Sequence, residues 1–276
     1  ARMRWIGWMA LALLPAAAQA AYPKVDHVVV VIEENHGFSQ IFGSPDCPTI
    51  NTLASNGVLL THSYAISHPS EPNYLALFGG GTFGVKDDVC PPLGSPYGAP
   101  NLAAALAAAG ARFAGYSEDL PADGLACADQ AQSGYRRKHN GWVDFAGLSP
   151  TANLPFTAFP KALTSLPEVA FVVPNMEHDM HDGTPAEADA WLKQNLSGYA
   201  DWCQANNGLL IVTFDEDNGA EQNHILTLAY GRQLGGGDDS ERVDHYRLLR
   251  LLCDLFNAKA PGLAAKAKPM YQLFPQ

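Results

Sequence analysis

The sequence predicts an α/β fold with three layers, in which helices cover both faces of a mostly parallel central sheet. Runs of β-branched residues such as HVVVVI (27–32) are typical of strands buried on both faces, as in a parallel sheet. Helical segments separate these runs along the chain, which favours right-handed crossovers between parallel strands. No linker divides the chain, so residues 21–276 are predicted to form a single domain.

Six segments have the composition of strands. The clearest are continuous apolar runs, and one of them, VAFVV (169–173), is ended by Pro174, which cannot continue a central strand. The predicted strands, in chain order, are His27–Ile32, Val58–Tyr64, Arg112–Tyr116, Val169–Val173, Leu209–Phe214 and Ile225–Tyr230.

Five segments between and after these strands have the pattern of helices. The segment Ser70–Phe78 begins with a hydroxyl residue, then an acid and a proline in its first turn, and three glycines end it. Residues 121–160 carry scattered Pro, Gly and Asn and are predicted to be mostly loops. The predicted helices are Thr49–Asn56, Ser70–Phe78, Asn101–Ala109, Glu187–Cys203 and Tyr246–Phe256.

Residues 1–20 have the pattern of a secretory signal peptide. Arg2 and Arg4 supply a positive start, Trp5–Leu14 is apolar, and Ala18–Ala20 has the small-x-small form of a cleavage site. The apolar run is shorter than the ~20 residues that span a bilayer. We therefore expect a periplasmic or secreted protein without stable membrane insertion, whose mature chain begins at Ala21; an uncleaved anchor is the alternative.

The charge balance limits the partners that the protein can have. Seventeen basic residues face 28 acidic ones, which gives a net charge of −11. Nucleic acid is therefore not expected as a partner, because its phosphate backbone needs a basic face. A small anionic substrate remains compatible with this charge, since a bound metal ion can supply local positive charge.

The five cysteines are consistent with an exported protein, because disulfides form in oxidising compartments. Their odd number leaves at least one thiol free or paired between chains. A Cys90–Cys127 pair is slightly favoured, because both residues lie in loop-like, Pro- and Gly-rich context, but the sequence leaves the pairing open. The cysteines are Cys47, Cys90, Cys127, Cys203 and Cys253.

Four predicted strand ends deliver carboxylates, imidazoles and a hydroxyl. Ligands of open α/β sheets collect beyond the carboxyl ends of the strands, and carboxylate and histidine side chains are ligands of divalent metals. A serine at a helix N-terminus lies where backbone N–H groups favour an anion, although Ser70 taken alone would be interpreted as an ordinary helix cap. The segments are EENH (33–36), SHPS (67–70), PNMEHDMHD (174–182) and DEDN (215–218), with His224 shortly after the last.

Five motifs in this order resemble a known family. They are VVVIEENH, SHPSEPNYLALFGG, RKHNGW, VVPNMEHDMHDG and TFDEDNGAEQNHI, and they span about residues 25 to 256. The chain resembles the bacterial phosphoesterase family of secreted acid phosphatases and phosphatidylinositol or non-specific phospholipases C. That family belongs to the alkaline phosphatase-like superfamily, so the resemblance implies that fold.

The resemblance also implies roles for particular residues. Ser70 corresponds to the nucleophile, which forms a phosphoserine intermediate, and Glu34, Asp215 and Glu216 correspond to metal ligands, with Ser70 on the same ion. Glu216 stands where two-zinc alkaline phosphatases have a histidine, which leaves one or two divalent ions of unknown identity. The remaining matches would bind the phosphate or a second metal, or act on the leaving oxygen: Asn35, His139, Asn140, Asp179, His181 and His224.

The function implied is that of a secreted, metal-dependent phosphomonoesterase, an acid phosphatase. Its substrate would be a phosphorylated small molecule or a phosphoinositide or phospholipid head group. The backbone N–H of Glu71 and the Asn35 amide are expected to hold phosphate oxygens. His68, close to Ser70 in the chain, is either a supporting neighbour of the site or an unrelated residue.

Two other functions remain open at this point. A phospholipase C would share the fold and nucleophile but cleave a phosphodiester, and it should carry an apolar rim for lipid. A non-catalytic, anion-binding secreted protein would need no nucleophile. Five loop aromatics could form such a rim or could simply anchor loops to the core: Phe38, Phe42, Phe83, Tyr97 and Phe156.

Overall fold

The computed structural model describes residues 21–127 and 134–275. The predicted signal peptide lies outside these residues. The strands are β1 (His27–Glu33), β2 (Val58–Leu60), β3 (Ser63–Tyr64), β4 (Phe113–Ser117), β5 (Asn153–Pro155), β6 (Val169–Val173), β7 (Gly208–Phe214), β8 (His224–Ile225), β9 (Thr227–Tyr230), β10 (Gly237–Asp239) and β11 (Val243–Asp244). The α-helices are α1 (Phe38–Ile41), α2 (Pro48–Asn56), α3 (Glu71–Gly79), α4 (Leu102–Ala108), α5 (Pro185–Ala205) and α6 (His245–Asp254).

The central sheet has eight strands in the order β10-β2-β9-β7-β1-β6-β4-β5. It is mostly parallel, as the sequence predicts, and only β9 runs antiparallel to its neighbours β7 and β2. No crossover helix separates β7 from β9, and a parallel return needs such a crossover. A small second sheet joins β11, β3 and β8.

Two predicted strands are each divided between the two sheets. The predicted strand Val58–Tyr64 consists of β2 in the central sheet and β3 in the small sheet. In the same way, Ile225–Tyr230 consists mostly of β9, preceded by β8. The chain passes from one sheet to the other within each apolar run, and a run of apolar residues carries no signal for such a change.

The alternating side chains of the central strands separate two cores. Val28, Val30 and Ile32 of β1 pack on the face covered by α3, α4 and α6. Val29 and Val31 face the opposite side, which α2 and α5 cover. This arrangement gives the three layers that the sequence predicts. No helix among the described residues has the length and apolar character needed to cross a bilayer.

Helix α3 packs on one face of the central sheet and ends at a glycine. Gly80 has φ +72°, a left-handed conformation that glycine adopts without steric cost, and its N–H donates to the Ala76 carbonyl. The side chain of Asn73 fixes the loop that enters this helix: its Oδ1 accepts from the N–H of Ile66 at 2.9 Å and of Ser67 at 3.0 Å. Both ends of α3 are therefore held by local hydrogen bonds.

The predicted disulfide between Cys90 and Cys127 is confirmed. The other three cysteines are free and buried. We expect replacement of both Cys90 and Cys127 by serine to lower the free energy of unfolding by ~3 kcal/mol, because the bond closes a loop of 37 residues. Urea unfolding checks this, with a reducing agent as the control: it should destabilise the wild type by a similar amount and leave the double variant unchanged.

Candidate active site

Three neighbouring parallel strands end at the same edge of the sheet and place carboxylates there. Strands β6, β1 and β7 are adjacent, and Glu33 pairs in register with Phe214. The Glu34 N–H donates to the Asp179 carbonyl at 2.7 Å, and the Asp215 N–H donates to the Glu33 carbonyl at 3.0 Å. The strand register therefore brings Glu34, Asp179 and Asp215 together, as the strand-end motifs predict.

Glu34, Asp215 and Glu216 form a buried cluster, which we call the carboxylate cluster. One oxygen from each of the three lies within 4.8 Å of the others. All three residues are buried, none of them more than 5% exposed as a whole residue. Asp215 and Glu216 directly follow β7, and Glu34 directly follows β1.

The electrostatics of the carboxylate cluster would favour a bound cation. Burial, together with the charges of Glu34 and Glu216, raises the pKa of Asp215 well above its usual value. Burial and Glu34 raise the pKa of Glu216 to about 7. Asp215 Oδ2 has no hydrogen-bond partner among the described residues. A divalent cation would relieve this repulsion, and an all-oxygen donor set suits hard ions.

The Ser70 hydroxyl is directed at the carboxylate cluster. Its Oγ lies 3.2 Å from Glu34 Oε2 and 3.2 Å from Glu216 Oε1. Ser70 is the residue before α3, but its side chain makes no capping hydrogen bond to the helix. The alternative of an ordinary helix cap therefore has no support in its contacts, and the buried hydroxyl is available to act at the site.

His139 is buried between two carboxylates beside Ser70. Its Nε2 lies 2.9 Å from Glu34 Oε1, and its Nδ1 lies 3.3 Å from Asp179 Oδ2. Burial alone would lower the pKa of His139, but Glu34 and Asp179 outweigh it and raise that pKa to about 9. Tyr74 donates a further hydrogen bond to Glu34 Oε1 at 2.8 Å. The two carboxylates thus favour the protonated form of His139, which would offset part of the negative charge.

His181 and Asn140 lie on the side of the site formed by His139. The His181 ring centre is 6.0 Å from that of His139, and its backbone N–H donates to Asp179 Oδ1 at 2.8 Å. Asn140 is buried, and its amide nitrogen donates to Tyr135 Oη at 2.9 Å and to Asn153 Oδ1 at 3.0 Å. The amide hydrogens of Asn140 are therefore engaged, which suits a positioning role better than direct phosphate binding.

Asn35 and His224 differ in how the structure places them. The Asn35 backbone N–H donates to Asp215 Oδ1 at 3.2 Å, and its side-chain amide makes no hydrogen bond within the described chain. His224 instead stacks on Phe38 at 4.6 Å between ring centres, and its Nε2 lies 2.8 Å from the Thr61 carbonyl. Among the described residues, none of its contacts is to Ser70 or the carboxylate cluster, and a role for His224 at the site stays a prediction.

Three residues at the site have no definite role assigned to them from the sequence. His68, which that interpretation left undecided, bridges two acids: its Nδ1 lies 2.6 Å from Glu216 Oε2 and its Nε2 lies 2.9 Å from Asp217 Oδ1. Lys138 Nζ lies 3.5 Å from Ser70 Oγ and 3.0 Å from Asp88 Oδ2. His68 and Lys138 lie inside the motifs that resemble the family, so the sequence carries a signal for both. Asp88 lies outside these motifs, and nothing in the sequence around it indicates a role at the site.

The raised pKa of Glu216 predicts how cation binding depends on pH. A proton must leave Glu216 before it can hold a cation, so the gain in Tm on adding Mg²⁺ or Mn²⁺ should shrink as the pH falls through about 7. We expect a clear shift at pH 8 and a much smaller one at pH 5, measured by differential scanning calorimetry at constant ionic strength. A shift that is equal at both pH values would contradict a cation held by Glu216.

A model of the Phosphoesterase family matches residues 44–258. The chain is 42% identical over 269 residues to a phosphatidylinositol-3-phosphatase of Mycobacterium tuberculosis, covering 97% of this chain and 89% of that protein. It is 33% identical over 219 residues to a phosphate-repressible acid phosphatase of Penicillium chrysogenum, covering 74% of this chain and 53% of that protein. The chain thus spans about half the length of this fungal relative.

Solved structures show the same fold at low sequence identity. A protein of the alkaline phosphatase superfamily from Vibrio parahaemolyticus superposes with a TM-score of 0.60 at 15% identity, over 91% of this chain and 72% of that one. Murine ectonucleotide pyrophosphatase/phosphodiesterase 5 superposes with a TM-score of 0.57 at 14% identity, over 91% of this chain and all of that one. These similarities confirm the alkaline phosphatase-like α/β fold that the sequence motifs imply.

Proposed function

Because this chain belongs to the phosphoesterase family and is a hydrolase of phosphate esters, we propose that it is a metal-dependent phosphomonoesterase in which Ser70 is the nucleophile. The observation that carries the proposal is the buried Ser70 hydroxyl, 3.2 Å from both Glu34 and Glu216 in the carboxylate cluster. A non-catalytic anion-binding protein would have no need of a hydroxyl held in this position.

Glu34, Asp215 and Glu216 would hold one divalent cation, with Ser70 on the same ion. The ion would lower the pKa of the serine hydroxyl and offset the charge of the phosphoryl group. Lys138, 3.5 Å from Ser70 Oγ, and His139, 2.9 Å from Glu34 Oε1, would supply further positive charge beside a single ion. His68 keeps Glu216 and Asp217 in place through its two ring nitrogens.

The proposed covalent hydrolysis has two halves. Ser70 Oγ attacks phosphorus as its proton passes to solvent water, the Oγ–P bond forms, and the bond from phosphorus to the ester oxygen breaks. The departing oxygen takes a proton from His181, whose Nε2 makes no contact within the described chain. Water then attacks the phosphorus of the phosphoserine and His181 accepts a proton from it. The P–Oγ bond breaks, Ser70 Oγ takes a proton from solvent water, and phosphate leaves.

One observation favours a lipid-borne substrate. Four of the five aromatics considered as a lipid rim are not strongly exposed, and Phe42, at 47%, is the exception. The most exposed large apolar side chains of the described residues instead include Val89, Leu93 and Leu125, on the two segments that the Cys90–Cys127 disulfide joins. We therefore propose phosphoinositides among the substrates, in line with the name of the mycobacterial relative, and keep a phospholipase C-type activity as the second candidate.

Parallel assays distinguish these activities. The mature protein is incubated at pH 5 to 8 with a phosphomonoester and a phosphodiester chromogen, with and without chelator. We expect hydrolysis of the monoester that is lost on chelation. Preference for the diester would favour the second candidate, a phosphodiesterase of the phospholipase C type. Turnover of neither substrate with metal supplied would contradict the proposed function.

Export is part of the same proposal. The disulfide between Cys90 and Cys127 supports an oxidising compartment, because such bonds are rare in the cytosol. We propose that residues 1–20 are removed on export to the periplasm or the medium. Mass spectrometry of the exported protein tests this, with Ala21 expected as the first residue.

A further inference from the structure

The Asp88 carboxylate accepts hydrogen bonds from two donors next to Ser70, the proposed nucleophile. Its Oδ1 accepts from the backbone N–H of Glu71 at 3.0 Å, and its Oδ2 lies 3.0 Å from Lys138 Nζ. Lys138 Nζ is also 3.5 Å from Ser70 Oγ, and Glu71 is the first residue of α3 directly after Ser70. The Asp88 carboxylate thus bridges a helix N-terminus and an ammonium group beside the attacking oxygen.

This pair of donors is what a phosphoryl group needs. A backbone N–H at a helix N-terminus and a lysine ammonium are both common ligands of phosphate oxygens. Each oxygen of the Asp88 carboxylate accepts a hydrogen bond from a different donor. Two oxygens of a phosphate ester bound at Ser70 could accept the same two hydrogen bonds. The Glu71 N–H, which the sequence assigns to phosphate, is therefore already bonded to a side chain of the protein itself.

We propose that Lys138 and the Glu71 N–H form the seat for two oxygens of the substrate phosphoryl group, and that Asp88 fills this seat until substrate displaces it. The proposal rests on the proposed function, since it names the groups that bind the phosphoryl group in that reaction. It makes Lys138 a substrate-binding residue and Asp88 an internal competitor that sets the affinity for phosphate.

The surroundings of the two side chains allow Asp88 to leave while Lys138 stays. The Asp88 side chain is 27% exposed, and its chain neighbours Asp87 and Val89 are exposed, so it can turn to solvent. The Lys138 side chain is only 17% exposed, and its Nζ lies between Ser70 and Asp88. Apparent affinity falls in proportion to the fraction of molecules with a free seat, so a filled seat weakens phosphate binding without altering the donors.

An alternative role for Asp88 makes the opposite prediction. Asp88 could remain bonded to Lys138 throughout and simply hold the ammonium toward the substrate. Its removal would then loosen Lys138 and weaken phosphate binding. Under our proposal its removal frees both donors and strengthens phosphate binding.

The test measures the binding of inorganic phosphate to metal-loaded protein by isothermal titration calorimetry, with phosphate inhibition of turnover as a second readout. We expect Asp88→Asn to lower the Kd for phosphate about 5- to 10-fold and Lys138→Met to raise it at least about 10-fold, with partial recovery in Lys138→Arg. Matched controls are Asp87→Asn and Lys86→Met, which change the same charges on exposed neighbours and should shift the Kd less than about 2-fold.

Several outcomes would overturn the seat. They are weaker phosphate binding in Asp88→Asn, unchanged binding in Lys138→Met, or effects of equal size in the control variants. The Tm of each variant shows whether it is folded, and Asp88→Ala repeats the test of Asp88 with a second substitution. The calorimetric readout does not need turnover, so a protein that binds phosphate as expected but hydrolyses no ester would contradict the proposed function and leave the seat supported.

Discussion

Ser70→Ala is expected to lower kcat for a phosphomonoester by ~10³-fold or more, with little change in Tm. The reason is chemical: the hydroxyl is the atom that bonds to phosphorus, and neither the helix nor the loop before it depends on that oxygen, since it makes no capping hydrogen bond. The measurement is the initial rate at saturating substrate with metal supplied, together with a thermal melt of both proteins.

Ser67→Ala is the matched control. Ser67 lies three residues earlier in the same loop, and its Oγ donates to the His68 carbonyl at 3.0 Å rather than contacting the carboxylate cluster. This variant should keep most of the activity. Rapid quenching of wild-type enzyme should also trap phosphate on Ser70. Activity of Ser70→Ala above one tenth of the wild-type rate would rule out Ser70 as the nucleophile.

Much of the site could be predicted from the sequence because it lies where strands end. The apolar runs identify β1, β6 and β7, and parallel strands place their carboxyl ends at one edge. That rule identifies the segments that contain Glu34, Asp179 and Asp215, and the family resemblance selects these three residues within them. Ser70 follows less directly, since a serine before a helix is most often a cap, and only the motif around it indicated a nucleophile.

The rest of the site depends on tertiary placement that no local pattern carries. Asp88 and Lys138 are 50 residues apart and meet only because the loops after α3 and after the disulfide-bonded segment fold back over Ser70. His224 illustrates the opposite case. It follows the DEDN segment closely, but the chain enters β8 there, and pairing of β8 with β3 directs its ring into a stack with Phe38 and Tyr64.

Removal of divalent metal is expected to lower activity by at least ~100-fold, and added cation should restore it. A bound cation contributes several kcal/mol of charge stabilisation in phosphoryl transfer, and each 1.36 kcal/mol corresponds to a factor of ten in rate. In this protein the effect should be strong, because without a cation the incoming phosphate would meet the three buried carboxylates of Glu34, Asp215 and Glu216.

Asp215→Asn tests the same site without a chelator. The substitution removes one charge from the carboxylate cluster and keeps its shape, so it should raise the cation concentration needed for half-maximal activity at least about 10-fold. Asp238→Asn is the control, since it removes the same charge from an exposed position in β10. The gain in Tm on adding cation should disappear in Asp215→Asn and persist in Asp238→Asn. Full activity after exhaustive chelation and dialysis would contradict a metal held by this cluster.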